Sequence, residues 1–241
     1  DRVNGVMFTG STEVARLLQR NIAGRLDAQG RPIPLIAETG GQNAMIVDSS
    51  ALTEQVVIDV VSSAFDSAGQ RCSALRVLCL QDDVADHTLK MLRGAMAECR
   101  MGNPGRLTTD IGPVIDAEAK ANIENHIQTM RAKGRPVFQA VRENSEDARE
   151  WRTGTFVPPT LIELASFDEL KKEVFGPVLH VVRYNRNNLN ELVEQINASG
   201  YGLTLGVHTR IDETIAQVTG SAKVGNLYVN RNMVGAVVGV Q

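Results

Sequence analysis

The stretch Gly69-Gln70-Arg71-Cys72-Ser73 connects two segments with different hydrophobic patterns. Residues 53–67, before it, carry apolar side chains at helical spacing, and residues 74–80, after it, form a largely apolar run with the length of a buried strand. The small residues Ala68 and Gly69 separate the two, so the pattern predicts a helix, a tight turn and a strand. Cys72 is therefore expected on a connection held by two packed elements, where a scaffold commonly presents a reactive group.

A second glycine-flanked site lies upstream, at Glu38-Thr39-Gly40-Gly41. Glycine lets another part of the molecule approach the backbone closely. Glu38 and Cys72, which both lie beside glycine, are therefore predicted at positions of close approach. A thiol nucleophile and a carboxylate base are the pair that covalent acyl chemistry needs. Two plainer interpretations stay open at this point: a cysteine that only packs in the core, and a solvated glutamate in a turn.

Composition narrows the class of protein. The chain has 241 residues, of which 43% are hydrophobic and 22% charged, as in ordinary globular proteins. A net charge of −3 argues against a nucleic-acid partner, and no apolar run or signal sequence points to a membrane. The three cysteines have no metal-ligand spacing and indicate a reducing compartment. We expect the cytoplasm, or a mitochondrial matrix after processing.

Predicted strands and helices alternate along the chain, which is typical of an α/β fold with a mostly parallel sheet. The pattern predicts strands at residues 6–9, 32–37, 43–47, 74–80, 136–140, 156–162, 178–182, 203–208 and 225–230. It predicts further helices at residues 86–98, 117–132, 189–198 and 212–221. Pro158 and Pro159 favour an edge position for the strand at 156–162. Both ends of the chain lie inside apolar runs, so we expect a piece of a longer protein.

The start of the chain also predicts a phosphate site. A strand, the turn Gly10-Ser11 and a helix capped by Ser11 or Thr12 form half of a nucleotide-binding unit, because free N–H groups at a helix start attract phosphate. This strand–turn–helix pattern is common, so it indicates a phosphate site only together with other motifs. The four histidines lie far apart without carboxylate partners at ligand spacing, so we predict neither a metal site nor a Ser–His triad.

Four motifs occur in the order and spacing of the aldehyde dehydrogenase superfamily, which the chain resembles over nearly its whole length. They are Phe8-Thr9-Gly10-Ser11-Thr12, Glu38-Thr39-Gly40-Gly41, Gly69-Gln70-Arg71-Cys72 and Glu173-Val174-Phe175-Gly176-Pro177. Residues 69–76 and 229–241 look most like the glutamate-semialdehyde (Δ1-pyrroline-5-carboxylate) dehydrogenase module of the bifunctional proline-utilization flavoproteins.

The resemblance implies a division into domains. Residues 1–37 would be the C-terminal remnant of a Rossmann-type NAD-binding domain, residues 38–229 the catalytic domain, and residues 230–241 the truncated start of a substrate-anchoring segment. The family's oxyanion asparagine and cofactor-binding lysine would lie before Asp1, and its Pro-Phe-Gly-Gly stretch after Gln241. Loss of one oxyanion donor costs ~10²–10³ in turnover, so we expect the segment alone to be nearly inactive and to bind NAD poorly.

The resemblance also implies roles for individual residues. Cys72 would attack the aldehyde carbon, with its own backbone N–H among the oxyanion donors, and Glu38 would activate the water that hydrolyses the thioester. The cofactor NAD would be bound at its pyrophosphate by Gly10 and Ser11, at its nicotinamide ribose by Glu173, and at its nicotinamide by Phe175. The substrate carboxylate would be held by Ser73, Gly235 and Ala236.

The implied activity is NAD-dependent oxidation of L-glutamate γ-semialdehyde to glutamate in proline catabolism. FAD would belong only to a separate proline dehydrogenase module of the parent, which we expect to be a homo-oligomer. One alternative is an aldehyde dehydrogenase for another small aldehyde, such as succinate semialdehyde or a phosphate-activated one. Another is a non-catalytic assembly domain, which the presence of both Cys72 and Glu38 disfavours. A papain-like thiol hydrolase lacks a histidine partner in a suitable place.

Overall fold

The computed structural model of the chain describes residues 3–141 and 153–235. It divides into two compact units, Asp1–Gly40 and Gly41–Gln241. In the first unit, β1 (Val6–Thr9) and β2 (Leu35–Glu38) pair in parallel and are connected through helix α1 (Thr12–Ala23). The expected cap is present: the Ser11 hydroxyl accepts a hydrogen bond from the backbone N–H of Val14 at 3.2 Å.

The second unit contains a seven-stranded sheet. Its strands are β3 (Asn43–Val47), β4 (Leu75–Gln81), β5 (Val137–Gln139), β6 (Thr160–Leu164), β7 (Val178–Tyr184), β8 (Thr204–His208) and β9 (Asn226–Val229), in the order β5-β6-β7-β4-β3-β8-β9. All neighbours are parallel except β5 and β6. The helices of this unit are α2 (Thr53–Phe65), α3 (Asp82–Glu98), α4 (Ala117–Ala132), α5 (Leu189–Ala198) and α6 (Asp212–Ser221).

The core lies along the central strands. Every residue of β3, β4 and β8 is buried, as expected for parallel strands covered on both faces. Because β7, β4 and β3 are parallel neighbours, the loops that precede them meet at one edge of the sheet. Those loops contain Gly41, Cys72 and Gly176, so three of the four sequence motifs contribute residues to that edge.

The element pattern follows the sequence prediction, apart from shifted boundaries and the position of one strand in the sheet. Helix α2 ends at Phe65 and a 3-10 turn, Asp66–Gly69, follows it, while α3 begins at Asp82. The edge prediction for the strand at 156–162 was wrong. Both prolines precede β6, which begins at Thr160 and therefore keeps all its N–H donors, and β5 covers its outer side. Among the described residues no helix is long and apolar enough to cross a membrane.

Candidate active site

Cys72 lies on a turn of unusual backbone conformation, residues 67–73, which we call the nucleophile turn after the role predicted for Cys72. Ser67, Ala68 and Gly69 have φ angles of 56°, 52° and 65°, a left-handed region that L-residues seldom occupy consecutively. The turn leaves Cys72 exposed, so its interpretation as a cysteine that only packs in the core is wrong. Among the described residues no hydrogen-bond acceptor contacts the backbone N–H of Cys72, so that donor is available to a ligand.

The start of β3 holds the other side of the nucleophile turn. The Asn43 side-chain amide donates hydrogen bonds to the carbonyl oxygens of Cys72 at 2.7 Å and Ala74 at 2.9 Å. A Cβ at Gly41 would lie 2.8 Å from the Cys72 carbonyl oxygen, closer than real Cβ contacts come. Glycine at position 41 is therefore needed because the backbone of the nucleophile turn passes against it.

Arg76 joins the nucleophile turn to residues 173–177, which we call the cofactor loop after the role predicted for it. Its buried guanidinium donates to the carbonyl oxygen of Gly69 at 2.6 Å and to Glu173 Oε1 from Nε and Nη2 at 3.1 and 3.0 Å. Burial lowers the pKa of Arg76, while the Glu173 carboxylate acts in the opposite direction. The turn that carries Cys72 and the side chain of Glu173, far apart in sequence, are thus bonded to one side chain.

Phe175 and Glu173 line a cavity of about 580 Å³ between helix α4 and the cofactor loop. The Phe175 side chain is 45% exposed, and its ring centroid lies 5.1 Å from the Arg76 guanidinium carbon. Ala119, Asn122 and His126 contribute to the opposite wall. An open cavity with an exposed aromatic ring and a carboxylate fits the nicotinamide end of NAD, because the ring can stack and the carboxylate can accept from ribose hydroxyls.

The predicted substrate-anchoring segment is attached to the nucleophile turn. Arg71 Nη1 donates to the carbonyl oxygen of Val234 at 3.3 Å, one residue before Gly235. The backbone N–H of Met233 donates to Ser63 Oγ in helix α2 at 3.0 Å. Ser73 is 8% exposed and sits directly after Cys72. Ala236, the other predicted carboxylate-binding residue, lies outside the described residues.

The first unit holds the remaining predicted site residues. Glu38 ends β2 with an exposed side chain, and its carbonyl oxygen accepts from the backbone N–H of Gly10 at 3.1 Å. Ser11 follows as the cap of α1. The compact units divide after Gly40, so Glu38, which we assigned to the catalytic domain, belongs to the first unit. Its role as base, and the cofactor roles of Gly10 and Ser11, stay predictions.

Sequence reasoning missed a histidine pair. His126 and His180 lie with their Nε2 atoms 2.9 Å apart, and His180 Nδ1 lies 3.1 Å from the carbonyl oxygen of Arg76. Burial lowers the pKa of both residues, that of His180 to about 3. No periodicity links a helix residue to a strand residue in this way. In the described part of the chain no three potential metal-ligating side chains cluster.

Sequence reasoning also missed Arg76 and Asn43, although a signal for each was present. A charged residue inside an apolar strand run must be satisfied by buried partners, and so must an amide at the start of a buried strand. Both residues are at most 2% exposed. The sequence does not show which groups form hydrogen bonds with these two side chains.

A model of the "Aldehyde dehydrogenase family" matches residues 1–241. The chain belongs to the aldehyde dehydrogenase family. Among its relatives, "Bifunctional protein PutA" of Escherichia coli strain K12 is 90% identical over all 241 residues, which are 18% of that protein. A "1-pyrroline-5-carboxylate dehydrogenase" of Staphylococcus saprophyticus is 35% identical over 97% of this chain and 44% of its own length.

Solved structures of this aldehyde dehydrogenase family agree with the fold. A crystal structure of bifunctional proline utilization A matches 99% of the chain with a TM-score of 0.90 and 52% identity, over 23% of its own length. A 1-pyrroline-5-carboxylate dehydrogenase from Thermus with bound NAD matches 99% of the chain, and 45% of its own, with a TM-score of 0.86 and 33% identity. The chain thus spans less than half of each relative, and the expected α/β fold is confirmed.

Proposed function

We propose that this chain provides the catalytic part of an NAD-dependent dehydrogenase. The enzyme oxidises L-glutamate γ-semialdehyde, the open form of Δ1-pyrroline-5-carboxylate, to glutamate in proline catabolism. The observation that carries the proposal is the exposed thiol of Cys72 on a turn that Arg76 bonds to the loop of Glu173 and Phe175. The substrate is proposed from the names of relatives that are similar to this chain in sequence.

The reaction begins at Cys72. Its thiolate attacks the aldehyde carbon, a C–S bond forms, and the carbonyl electron pair moves onto oxygen. The backbone N–H of Cys72 donates to that oxyanion. The peptide plane of this N–H is fixed through the carbonyl oxygen of Arg71, which accepts from Arg76 Nη2 at 3.2 Å and from the backbone N–H of Ala74 at 3.1 Å. A fixed donor stabilises developing charge without reorganising during the reaction.

Residues of the cofactor loop and of the first unit would hold NAD. Glu173 would accept from the nicotinamide ribose, Phe175 would pack against the nicotinamide, and Gly10 and Ser11 would lie at the pyrophosphate. When bound, NAD supplies the hydride acceptor that the oxidation of the thiohemiacetal to a thioester requires.

Glu38 completes the cycle. Its carboxylate takes a proton from water, the water oxygen attacks the thioester carbon, and the C–S bond breaks to return the Cys72 thiol. Ser73, Gly235 and Ala236 hold the substrate carboxylate, at the α-amino acid end, through a hydroxyl and backbone N–H groups. With these groups no lysine is needed beside the substrate, where it would form a Schiff base with the aldehyde.

The whole protein is proposed to be a longer, bifunctional enzyme in which this segment works with others. Residues 1–37, 38–229 and 230–241 would be its cofactor-domain remnant, catalytic domain and substrate-anchoring start. FAD would be bound by a separate proline dehydrogenase module, and the parent would be a cytoplasmic homo-oligomer. The present segment alone would have almost no activity and weak affinity for NAD.

The test uses the full-length protein with glutamate semialdehyde and NAD+, following NADH absorbance and the mass of the Cys72 peptide. We expect turnover and a thioester on Cys72, both lost in Cys72→Ser and both kept in Cys99→Ser. Turnover that survives Cys72→Ser would exclude the mechanism. Absence of any turnover or adduct with several aldehydes would indicate a non-catalytic assembly domain.

The substrate is tested separately. In Ser73→Ala we expect KM to rise for glutamate semialdehyde but not for succinate semialdehyde, because only the former presents an α-amino acid end. Equal effects on both substrates would favour a dehydrogenase for another aldehyde.

A further inference from the structure

A buried guanidinium links two segments that the proposed reaction needs in a fixed relative position. Arg76 is 1% exposed, and a charge taken out of water is tolerated only where hydrogen bonds and a counter-charge replace the water. Its acceptors come from two places: the carbonyl oxygens of Gly69 and Arg71 in the nucleophile turn, and Gly176 and Glu173 in the cofactor loop. Glu173 supplies the counter-charge at 3.0 Å.

The two segments are in close contact at that point. A Cβ on Gly69 would lie 2.2 Å from the carbonyl oxygen of Gly176, so their backbones touch without room for a side chain. The contact brings together two carbonyl oxygens, and Arg76 Nη1 donates to both, at 2.6 and 3.2 Å. One cationic group thus stabilises an approach that carbonyl repulsion would otherwise oppose.

The conformation of the nucleophile turn also needs an external support. Ser67 and Ala68 occupy left-handed conformations without the freedom of glycine. Such conformations persist only where the surroundings fix them, and they occur most often at functional sites. The bonds from Arg76 to Gly69 and Arg71 fix the turn on the side facing the sheet.

The anchor point of Arg76 is itself rigid. It lies in β4, between β7 and β3, and its carbonyl oxygen contacts Nδ1 of the buried His180 at 3.1 Å. The Phe175 ring lies 5.1 Å from the guanidinium carbon, a distance at which a cation and an aromatic face attract. A displacement of Arg76 would therefore move Phe175 as well as the nucleophile turn.

We propose that Arg76 is a positioning residue for the oxidation step. It holds the nucleophile turn and the cofactor loop in one relative position. The inference rests on the proposed function. It assigns to Arg76 no contact with substrate or cofactor. Lysine keeps the charge at this position, but the three donors of its ammonium cannot replace the five hydrogen bonds that Nε, Nη1 and Nη2 of the guanidinium make.

The test compares Arg76→Lys and Arg76→Met in the full-length enzyme with the matched control Arg93→Lys. Arg93 pairs with Glu163 at 2.6 Å on helix α3, away from the nucleophile turn. Two rates are measured. The first is NAD+-dependent oxidation of the semialdehyde, and the second is the burst of p-nitrophenolate as Cys72 is acylated by p-nitrophenyl acetate, a reaction that needs no cofactor.

If Arg76 positions the two segments, Arg76→Lys lowers kcat/KM for oxidation by about 100-fold and raises KM for NAD+, while the acylation burst slows by less than about tenfold. Arg93→Lys changes neither rate. Equal losses in both rates, no loss in either, or failure of every Arg76 variant to fold would overturn the proposal. Failure of the proposed function is distinguishable, because the unmodified enzyme would then reduce no NAD+ while its Cys72 burst could still be compared with that of the variants.

Discussion

The Asn43 amide nitrogen lies 2.7 Å from the carbonyl oxygen of Cys72 and donates a hydrogen bond to it. The same nitrogen donates to Ala74 at 2.9 Å, and the amide oxygen accepts from the backbone N–H of Thr204 at 3.2 Å. One side chain at the start of β3 therefore satisfies three backbone groups, in the nucleophile turn, before β4 and in β8. Cys72 is thus held through its carbonyl oxygen, and its N–H and its thiol are not used by this contact.

Replacing that side chain should be costly. Asn43→Leu keeps the volume but leaves three backbone groups without partners, at about 1–3 kcal/mol each when buried, so we expect a loss of about 3 kcal/mol or more. The measurement is the urea dependence of Cys79 labelling, because the Cys79 thiol in β4 becomes reactive only on unfolding. Asn187→Leu, at an exposed position, is the control and should change the free energy by less than about 0.5 kcal/mol. Equal effects would contradict the role of Asn43.

Substitutions at Gly69 and Gly134 can distinguish the cost of backbone strain from the cost of a close contact. Gly69 and Gly134 both have positive φ angles, 65° and 75°, but only a Cβ on Gly69 meets backbone, 2.2 Å from the Gly176 carbonyl oxygen. We expect Gly134→Ala to cost about 1–2 kcal/mol from conformation alone. Gly69→Ala should cost more and should abolish the Cys72 acylation burst, since backbone cannot move aside as a side chain can. Similar unfolding curves for the two variants would argue against the contact.

The cysteines should react in a fixed order. Cys72 is exposed, whereas Cys79 is buried and its burial raises the pKa of its thiol to about 12. Since thiolate is the reactive form, iodoacetamide at neutral pH should label Cys72 first and leave Cys79 unlabelled in the native protein. Peptide mass mapping over time gives the order. The half-buried Cys99 should react at a rate between the two. Labelling of Cys79 without denaturant would contradict its burial in the folded protein.

His180 should make the second unit sensitive to acid. Its folded pKa is about 3, against 6.5 for an ordinary histidine, because it is buried against His126 and Arg76. Below pH 6.5 the unfolded chain binds a proton that the folded chain does not, so stability falls as the pH drops from about 6.5 towards 3, by at most about 1.4 kcal/mol per pH unit.

The measurement for His180 is amide hydrogen exchange of β4 peptides from pH 4 to pH 7, corrected for intrinsic rates and compared with His180→Gln, which cannot take up that proton. We expect the variant to lose less stability on acidification than the unmodified protein. His87→Gln, at an exposed position, should keep the original pH dependence. Identical slopes for the unmodified protein and His180→Gln would show that His180 does not cause the effect.

The sequence by itself determined the α/β alternation, the positions of most helices and strands, and the exposed connection that carries Cys72. These features follow from local periodicity, which records whether a residue is buried along a helix face or a strand. The family motifs added a prediction of which segments form one site, and three of the four motifs contribute residues to one edge of the sheet. The prediction erred at β6, where Pro158 and Pro159 indicated an edge that β5 in fact covers.

Only the tertiary structure decided which groups contact the buried polar residues. Periodicity shows that Arg76, Asn43 and His180 are buried but carries no record of the groups against which they are buried. Those groups lie up to 161 positions away along the chain, as Thr204 does from Asn43. The parallel order β7-β4-β3-β8 brings the segments that carry most of them together. Strand order depends on long-range packing between whole elements, so the link between the nucleophile turn and the cofactor loop emerged only once that order was known.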